Sequence, residues 1–354
     1  MIKATIKKFI AACWMIGMLI AGVPAFETDQ YNLPPTPLAD IGEEVNGYVS
    51  DAISKAVTNL NAKIEAAEAC LNATNTRRNG CRSIETERKA LAQLRTNDAA
   101  AGAVYKLLGD GIFPLSHIGS WLKSHKFSGQ PARYTTSFPD SIWATLPTNY
   151  LTISPTIRMY GIEFGIDKIE HLFQQGYTYY KIYSRQIAKG ATPRAATQKA
   201  VSWGQLTERT YYGFLVSGVF SNADLYGNYV GMRFYQGLTE KLQIGESSRP
   251  STLTLDNGRW KFNSEIDEAN LLRPFITDHL NEALNPSGFS AIVFPYVRKA
   301  VRQRACAQWK TAFPEYTRDG LNTRSNNLRQ WNGENYGFTA KKRMISMGDL
   351  CYGD

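Results

Sequence analysis

The chain lacks the sequence signatures by which an enzyme is most readily recognised. It has no glycine-rich phosphate loop after a predicted strand, no serine nucleophile elbow and no His-Glu-x-x-His zinc signature. Its four histidines stand far apart, so they do not give the ligand spacing of a zinc site. The sequence therefore predicts no particular reaction, and a function has to be inferred from weaker patterns.

Long apolar runs are absent beyond the N-terminus, so we expect no transmembrane helix in the mature chain, since a span needs about 18 or more apolar residues. At the N-terminus, lysines within residues 3–8 precede an apolar run over residues 9–22 and the small residues of Val23-Pro24-Ala25. This order of segments is typical of a secretory signal peptide. It predicts a peptide of residues 1–25, cleavage after Ala25 and a secreted or periplasmic protein.

Cysteine is scarce, and its positions predict a disulfide framework. Cys13 lies in the predicted signal peptide, which leaves four cysteines in the mature chain. An even number in an oxidising compartment favours two disulfides. Cys70 ends one predicted helix and Cys81 begins the next, so these two should pair across the tip of a helical hairpin. Cys306 and Cys351 then pair by elimination.

Neither sign of charge dominates strongly. Forty basic and 31 acidic residues give a net charge of +9, which the loss of the signal-peptide lysines reduces to +6. This modest charge argues against nucleic acid as a partner and suits an anionic membrane surface or another envelope component. A solvated helix face is the alternative interpretation of the two basic clusters, which are Arg298, Lys299, Arg302, Arg304 and Lys310, and Lys341-Lys342-Arg343.

Apolar periodicity predicts a mainly α protein with a disulfide-tipped helical hairpin, a central helical bundle and one small β-hairpin around Asp256-Asn257-Gly258. Helices are expected over about 156–188, 192–218, 222–242, 265–283 and 288–312, followed by a tail that is mostly loop. We divide the chain into a signal peptide (1–25), an N-terminal linker and long helical hairpin (26–110), a proline-rich irregular connector (111–155), a central three-helix unit (156–245), and a β-hairpin with further helices and a disulfide-pinned C-terminal tail (246–354).

One polar stripe is a candidate functional site. Glu163, Asp167 and His171 recur every four residues on the predicted helix 156–188, and the next two helices offer Glu208 and Asp224. Two carboxylates and an imidazole in a row could work as a catalytic acid–base set, with Glu208 as the general acid. Asp167 and His171 could also bind a divalent metal, the one cofactor that the pattern suggests. The alternative is that the stripe is a solvated face.

Small residues argue against full exposure of this stripe. Gly161, Gly165 and Gly176 form a further face of the predicted helix, and Gly227 and Gly231 offer a matching face on a later helix. Because small residues let helix backbones approach closely, we expect a second helix contact at these faces. The polar residues would then lie in a narrow groove.

Two functions from different classes remain open at this stage. The first is a helical envelope protein that binds a partner or ligand, at a membrane surface or in solution. The second is a secreted hydrolase, metal-assisted or using paired carboxylates, that acts on an envelope polymer or lipid through the polar stripe. Convergence of carboxyl and imidazole groups from several helices would favour the second function, and side chains in bulk water would exclude it.

Overall fold

The structure is a computed structural model that describes residues 27–73, 81–112, 115–144, 153–210, 213–215 and 217–353. The predicted signal peptide and most of the predicted hairpin tip lie outside these residues. Helix is the main secondary structure, which confirms the mainly α prediction. The α-helices are α1 (Gly42–Asn72), α2 (Ile84–Leu94), α3 (Asn97–Leu108), α4 (His117–Ser124), α5 (Ile166–Glu170), α6 (Gly176–Ala188), α7 (Pro193–Arg209), α8 (Asn222–Gly237), α9 (Phe294–Ala300), α10 (Cys306–Ala312), α11 (Arg318–Asn327) and α12 (Met347–Cys351).

Short strands are more numerous than the sequence predicts. The strands are β1 (Glu27–Thr28), β2 (Gly111–Ile112), β3 (Leu115–Ser116), β4 (Ile153–Ser154), β5 (Thr156–Met159), β6 (Ile162–Gly165), β7 (Val219–Phe220), β8 (Leu242–Ile244), β9 (Ser247–Arg249), β10 (Leu253–Asp256), β11 (Arg259–Phe262) and β12 (Gly288–Phe289). Within the described residues they pair as six two-stranded sheets, in the combinations β1–β4, β2–β3, β5–β6, β7–β12, β8–β9 and β10–β11. The predicted hairpin is β10–β11, in which Asn257 and Gly258 have φ values of 47° and 76°.

Helix α1 is the longest element, and its amphipathic sequence explains its packing. Its buried residues include Val45, Val49 and Ile53, which recur at helical spacing, and its buried face meets α2 and α3. The disulfide Cys70–Cys81 joins the end of α1 to the segment before α2. Helix α1 also contacts β11, where the backbone N–H of Trp260 donates to Asn61 Oδ1 at 2.9 Å. Trp260 Nε1 donates to the carbonyl of Leu94 in α2, so the β10–β11 hairpin packs against both helices.

The helix predicted over 156–188 begins only at Ile166, so the prediction is wrong for residues 156–165. These residues form the antiparallel pair β5–β6. Tyr160 and Gly161 between the strands have φ values of 52° and 82°, in the left-handed region. Because L-residues do not continue a right-handed helix through such positions, the chain reverses there. Glu163 consequently lies on a strand and not in line with Asp167 on the helix.

Two glycines let the central helices α6 and α8 touch backbone to backbone. A Cβ atom on Gly176 would lie 2.5 Å from the Cα of Gly231. The expected contact between these two positions is therefore present. Gly165 does not take part, because a Cβ atom at this position would meet the side chains of Thr28 and Asp167 and not another helix. Between α5 and α6 the helix widens into a π turn over His171–Gln175.

The C-terminal part departs from the sequence prediction in three places. The helix expected over 265–283 is replaced by short 3-10 turns, since Asp267 and Asn281 accept hydrogen bonds from nearby backbone N–H groups and so compete with helix formation. The helix expected over 288–312 starts at Phe294, after strand β12. The tail contains α11 and α12, and Cys351 of α12 is bonded to Cys306.

The first described residues are buried, although the sequence predicts an extended linker there. Strand β1 pairs in parallel with β4. The side chain of Gln30 accepts a hydrogen bond from the backbone N–H of Glu282, and the carbonyl of Tyr31 accepts one from Trp309 Nε1 at 2.8 Å. This segment therefore packs into the core between distant parts of the chain.

Candidate functional site

The structure brings four of the five predicted site residues into one buried region. Asp167 and His171 lie on α5 and the π turn, Glu208 on the last turn of α7 and Asp224 on the first turn of α8. Their exposed fractions are between 1% and 4%. The solvated-face alternative is therefore wrong for these residues. Glu163 lies elsewhere, on β6, where it lines a surface cleft.

The ammonium group of Lys168 lies at the centre of the buried region. Its Nζ donates to Asp167 Oδ2 at 2.7 Å, to Asp224 Oδ1 at 2.5 Å and to Glu282 Oε1. The Lys168 side chain is 0% exposed. Three carboxylates from three segments of the chain thus share one cation, and we call these four side chains the Lys168 cluster.

Hydroxyl groups hold the carboxylates of the Lys168 cluster in place. Thr28 Oγ1 donates to Asp167 Oδ1 at 2.6 Å, and Ser221 Oγ donates to Glu282 Oε1 at 3.1 Å. Ser221 is also the N-cap of α8, since its Oγ accepts from the backbone N–H of Asp224 at 3.0 Å. The same serine that caps helix α8 therefore also positions the carboxylate of Glu282 in the cluster.

His171 extends the Lys168 cluster along the α8 surface. Its Nε2 lies 3.4 Å from Asp224 Oδ2, and its Nδ1 lies 2.9 Å from Asn228 Oδ1. A Cβ atom on Gly227 would lie 3.2 Å from the Cβ of His171, so the glycine makes room for the histidine. The π turn that begins at His171 belongs to a class of helix irregularity that occurs often at functional sites.

Two further carboxyls lie beside the Lys168 cluster. Glu208 Oε2 accepts a hydrogen bond from the backbone N–H of Ser221 at 3.3 Å. Burial and the charge of Asp224 raise the pKa of Glu208 well above its usual range. Burial, together with the charges of Glu282 and Asp224, does the same to the pKa of Glu27. Both carboxyls are therefore shifted towards their neutral form.

The environment moves the pKa values of the Lys168 cluster in opposite directions. Burial acts to lower the pKa of Lys168, but the surrounding carboxylates raise it well above its usual value, so the lysine stays charged. Burial acts to raise the pKa of Asp224, but the charges of His171 and Lys168 lower it. Burial raises the pKa of Glu282 to about 7 against the opposing charge of Lys168.

The same carboxylates are the described group that could hold a metal ion. One oxygen from each of Asp167, Asp224 and Glu282 lies within 4.8 Å of the others, and oxygen ligands suit magnesium, calcium or manganese. Of the two metal ligands that the sequence suggests, Asp167 and His171, this group contains only Asp167. The ammonium of Lys168 lies between these oxygens and already supplies a positive charge. The residues therefore fit a buried network of ion pairs better than a metal centre.

Sequence reasoning missed Lys168, Glu282 and Glu27. Lys168 stands next to Asp167 and between the apolar residues Ile166 and Ile169, and a lysine beside an acidic residue in that setting is a local signal of a buried ion pair. Glu282 is 114 positions from Lys168 and lies beside a 3-10 turn, so no spacing pattern relates the two. Glu27 lies in the segment that the sequence assigns to a linker.

Glu163 lines a surface cleft with a volume of about 230 Å³, which we call the Glu163 cleft. A single residue links the cleft to the Lys168 cluster, because Gln30 lines the cleft and its side-chain oxygen accepts a hydrogen bond from the backbone N–H of Glu282. Burial raises the pKa of Glu163 against the opposing charge of Arg158. Other side chains around the cleft are Asn32, Asp278, Asn281, Trp309, Phe313, Tyr316 and Arg324.

Comparisons of the chain with family models, with curated proteins and with solved structures give no match. Among the helices that the structure describes, none has the length and apolarity needed to cross a membrane. The class of the protein therefore has to be argued from the Lys168 cluster and the Glu163 cleft.

Proposed function

We propose that the protein is a secreted or periplasmic helical protein that binds an envelope component without chemical conversion. The observation that carries the proposal is the burial of Lys168, whose ammonium fills the space between three carboxylates. A hydrolytic site needs a water or metal between its acid and base groups. The Lys168 cluster uses these groups to tie α5, α8 and the segment around Glu282 together.

Extracytoplasmic location is supported by several features. The two disulfides are typical of an oxidising compartment. The N-terminal pattern of residues 1–25 is that of a signal peptide. In this proposal, the disulfide-tipped helical hairpin and the central bundle form the rigid frame that carries the binding cleft.

We place the ligand in the Glu163 cleft because of its mixed lining. Phe313 and Tyr316 stack there with ring centroids 4.8 Å apart and an interplanar angle of 8°. The stacked rings form a rigid apolar part of the lining, against which the C–H groups of a sugar ring can pack. The amides of Gln30 and Asn281 line the cleft and fix the backbone of Glu163 by donating to its carbonyl at 3.2 and 2.9 Å, so the polar part of the cleft is preformed. A few placed polar groups beside apolar ones are typical of ligand sites.

The charges around the Glu163 cleft balance one another. Arg158 and Arg324 face Glu163 and Asp278, and Arg324 Nη2 lies 2.7 Å from Asp278 Oδ2. A lining of this kind favours a neutral or zwitterionic polar ligand over a strongly charged one. The volume of about 230 Å³ is below the range of drug-sized pockets, about 300–1,000 Å³, so one or two sugar rings fit the cleft best.

The experiment is calorimetric titration of the mature protein with the neutral disaccharide N,N′-diacetylchitobiose, which carries the N-acetylglucosamine rings of an envelope polymer without an added charge. Glu163→Gln should weaken binding by about tenfold or more, because a hydrogen bond to a charged group contributes about 1.5–3 kcal/mol. Glu246→Gln, at an exposed position outside the cleft, is the matched control. Equal affinity of Glu163→Gln and the unmodified protein for the disaccharide, or no binding at all, would contradict the proposal.

A secreted hydrolase is the second candidate, and two observations favour it. The first is the convergence of carboxyl and imidazole groups from α5, α7 and α8 in one buried region. The second is that the pKa of Asp224 is lowered while the pKa values of Glu208 and Glu282 are raised, and such divergence is typical of acid–base pairs. Mass spectrometry of the disaccharide after incubation with the protein separates the two functions. Cleavage that is lost in Glu208→Gln and in Asp224→Asn would establish the hydrolase, and an intact disaccharide that still binds would establish the binding protein.

A further inference from the structure

A second cleft combines basic side chains from the end of α7 and the C-terminal part of the chain with two aromatic rings. Its volume is about 300 Å³, and four of its six lining residues are basic while none is acidic. We call it the basic cleft. Its lining residues are Arg209, Phe214, Phe289, Lys341, Lys342 and Arg343.

The backbone joins three segments of the chain at the basic cleft. Phe289 pairs with Val219 between β12 and β7, and its N–H donates to the carbonyl of Arg343 at 2.8 Å. The N–H of Ser290 donates to the carbonyl of Gly218 at 2.8 Å. Since backbone hydrogen bonds fix these segments relative to one another, the basic side chains are held on one preformed surface.

The positive charges of the basic cleft are not balanced within the described protein. None of Arg209, Lys341, Lys342 and Arg343 forms an ion pair with a described carboxylate. Burial and the charge of Arg209 lower the pKa of Lys341. The ammonium of Lys341 rests on the ring of Phe220, 4.3 Å from its centroid. The cleft therefore offers uncompensated positive charge to an anion.

Several exposed apolar residues are close in sequence to residues that line the basic cleft. Leu215 directly follows Phe214 and is 74% exposed, and Ile292 lies three residues after Phe289 and is 76% exposed. Leu206, one helical turn before Arg209, and Tyr296, on α9, are also exposed. Large exposed apolar side chains beside basic ones are typical of surfaces that lie on lipid bilayers.

We propose that the basic cleft and its apolar border dock the protein onto an anionic lipid bilayer. The cations bind the phosphate groups of lipid heads, and Leu215 and Ile292 enter the boundary between heads and acyl chains. Charge complementarity selects an anionic surface, and the protruding apolar side chains select a bilayer over a free phosphate. This inference goes beyond binding at the Glu163 cleft and does not depend on it.

Vesicle co-sedimentation of the mature protein tests the proposal. Vesicles of phosphatidylcholine and phosphatidylglycerol in equal parts should bind the protein, and pure phosphatidylcholine should not. Lys342→Gln together with Arg343→Gln should weaken binding about tenfold or more, since each basic residue adds to attraction at an anionic surface. Raised salt should weaken binding of the unmodified protein as well.

Two further variants make the test specific. Arg194→Gln with Lys199→Gln removes the same charge from exposed positions of α7 and should leave vesicle binding unchanged. Leu215→Ser with Ile292→Ser should weaken binding about fivefold while retaining its dependence on salt. Thermal melting confirms that each variant is folded.

Two results would overturn the docking proposal. The first is equal binding of the Lys342/Arg343 variant and the Arg194/Lys199 control to the anionic vesicles. The second is calorimetric binding of inorganic phosphate without any binding to vesicles, which would identify a site for a free anion. Disaccharide binding at the Glu163 cleft is measured separately, so failure of either proposal leaves the other intact.

Discussion

Lys168 and its three carboxylate partners lose their contact with water and interact with one another instead. The stability of this cluster depends on the balance between the cost of desolvation and the attraction between the charges. Taking an ammonium out of water costs several kcal/mol, and only close partners offset that cost. Three partners approach within hydrogen-bond distance of Nζ. The lysine therefore neutralises a site that would otherwise hold two or three repelling charges.

Replacement of Lys168 should be among the most damaging single changes in the protein. We expect Lys168→Met to lower the free energy of unfolding by about 3–5 kcal/mol, because it leaves Asp167, Asp224 and Glu282 buried without their cation. Urea denaturation followed by circular dichroism measures the change. The control is Lys199→Met, an exposed position on α7.

A second substitution separates loss of the charge balance from loss of packing. Glu282→Gln in the Lys168→Met background should restore part of the lost stability, since it removes one of the repelling carboxylates. If Lys168→Met instead changes the unfolding free energy by less than about 0.5 kcal/mol, as surface substitutions do, the account of the Lys168 cluster is wrong.

Glu170 gives the stability a predictable dependence on pH. It is 1% exposed and lies 3.2 Å from Lys123 Nζ, and burial raises its pKa from 4.5 to about 7 against the opposing charge of Lys123. Between these values the folded protein retains a proton that the unfolded chain releases. The contribution of Glu170 to stability is therefore fully present below pH 4.5, falls as the pH rises to about 7 and is constant above it.

Glu170→Gln removes this titration while conserving the shape of the side chain. Relative to the unmodified protein, the variant should gain about 1–3 kcal/mol in unfolding free energy between pH 4.5 and pH 7.5. Urea denaturation across this range gives the difference. Glu85→Gln, at an exposed position on α2, should show no such trend, and a flat difference for Glu170→Gln would refute the assignment.

At the scale of elements, the contact between α6 and α8 depends on the absence of two side chains. A Cβ atom on Gly231 would lie 2.8 Å from the Cα of Gly176 and would also contact the carbonyl of Leu172. Both neighbours are backbone atoms, which cannot move aside as a flexible side chain can. The two helices can therefore take this separation only with glycine at both positions.

Gly231→Ala should destabilise the protein by about 1–3 kcal/mol through overpacking. Gly47→Ala is the matched control, since a Cβ atom at this exposed position of α1 meets nothing within 4 Å. It should stabilise the protein by about 0.5–1 kcal/mol, because alanine favours a helix interior over glycine. Thermal melts of the two variants should shift in opposite directions, and shifts of the same sign would rule out close packing at Gly231.

The apolar periodicity of the sequence correctly predicted the long helices, in which one continuous face packs against the core. The recurring apolar residues of α1 and the Thr192-Pro193 start of α7 identified helices that the structure contains. Periodicity failed at residues 156–165, because the two four-residue strands are too short to show an alternating pattern and Tyr160 and Gly161 reverse the chain between them. Short strands paired across the fold have no such local pattern.

At the scale of the whole molecule, the Lys168 cluster depends on contacts that no local pattern records. Asp167 and His171 were within reach of sequence reasoning because one helical segment carries both. Glu282 reaches Lys168 across 114 positions, and Thr28 reaches Asp167 across 139. Such distances are set by the packing of the entire chain, so the sequence indicated half of the candidate site and not the lysine at its centre.

The buried N-terminal segment has a consequence for the order in which the protein can form. Residues 27–31 are the first described part of the chain to leave the ribosome, but their partners lie as far away as Glu282 and Trp309, separated by 252 and 278 positions. Long-range contacts of this kind form late and slow the folding reaction. The earliest synthesised piece of the core is thus among the last to be immobilised, and it stays accessible to chaperones and proteases until nearly the entire chain has been made.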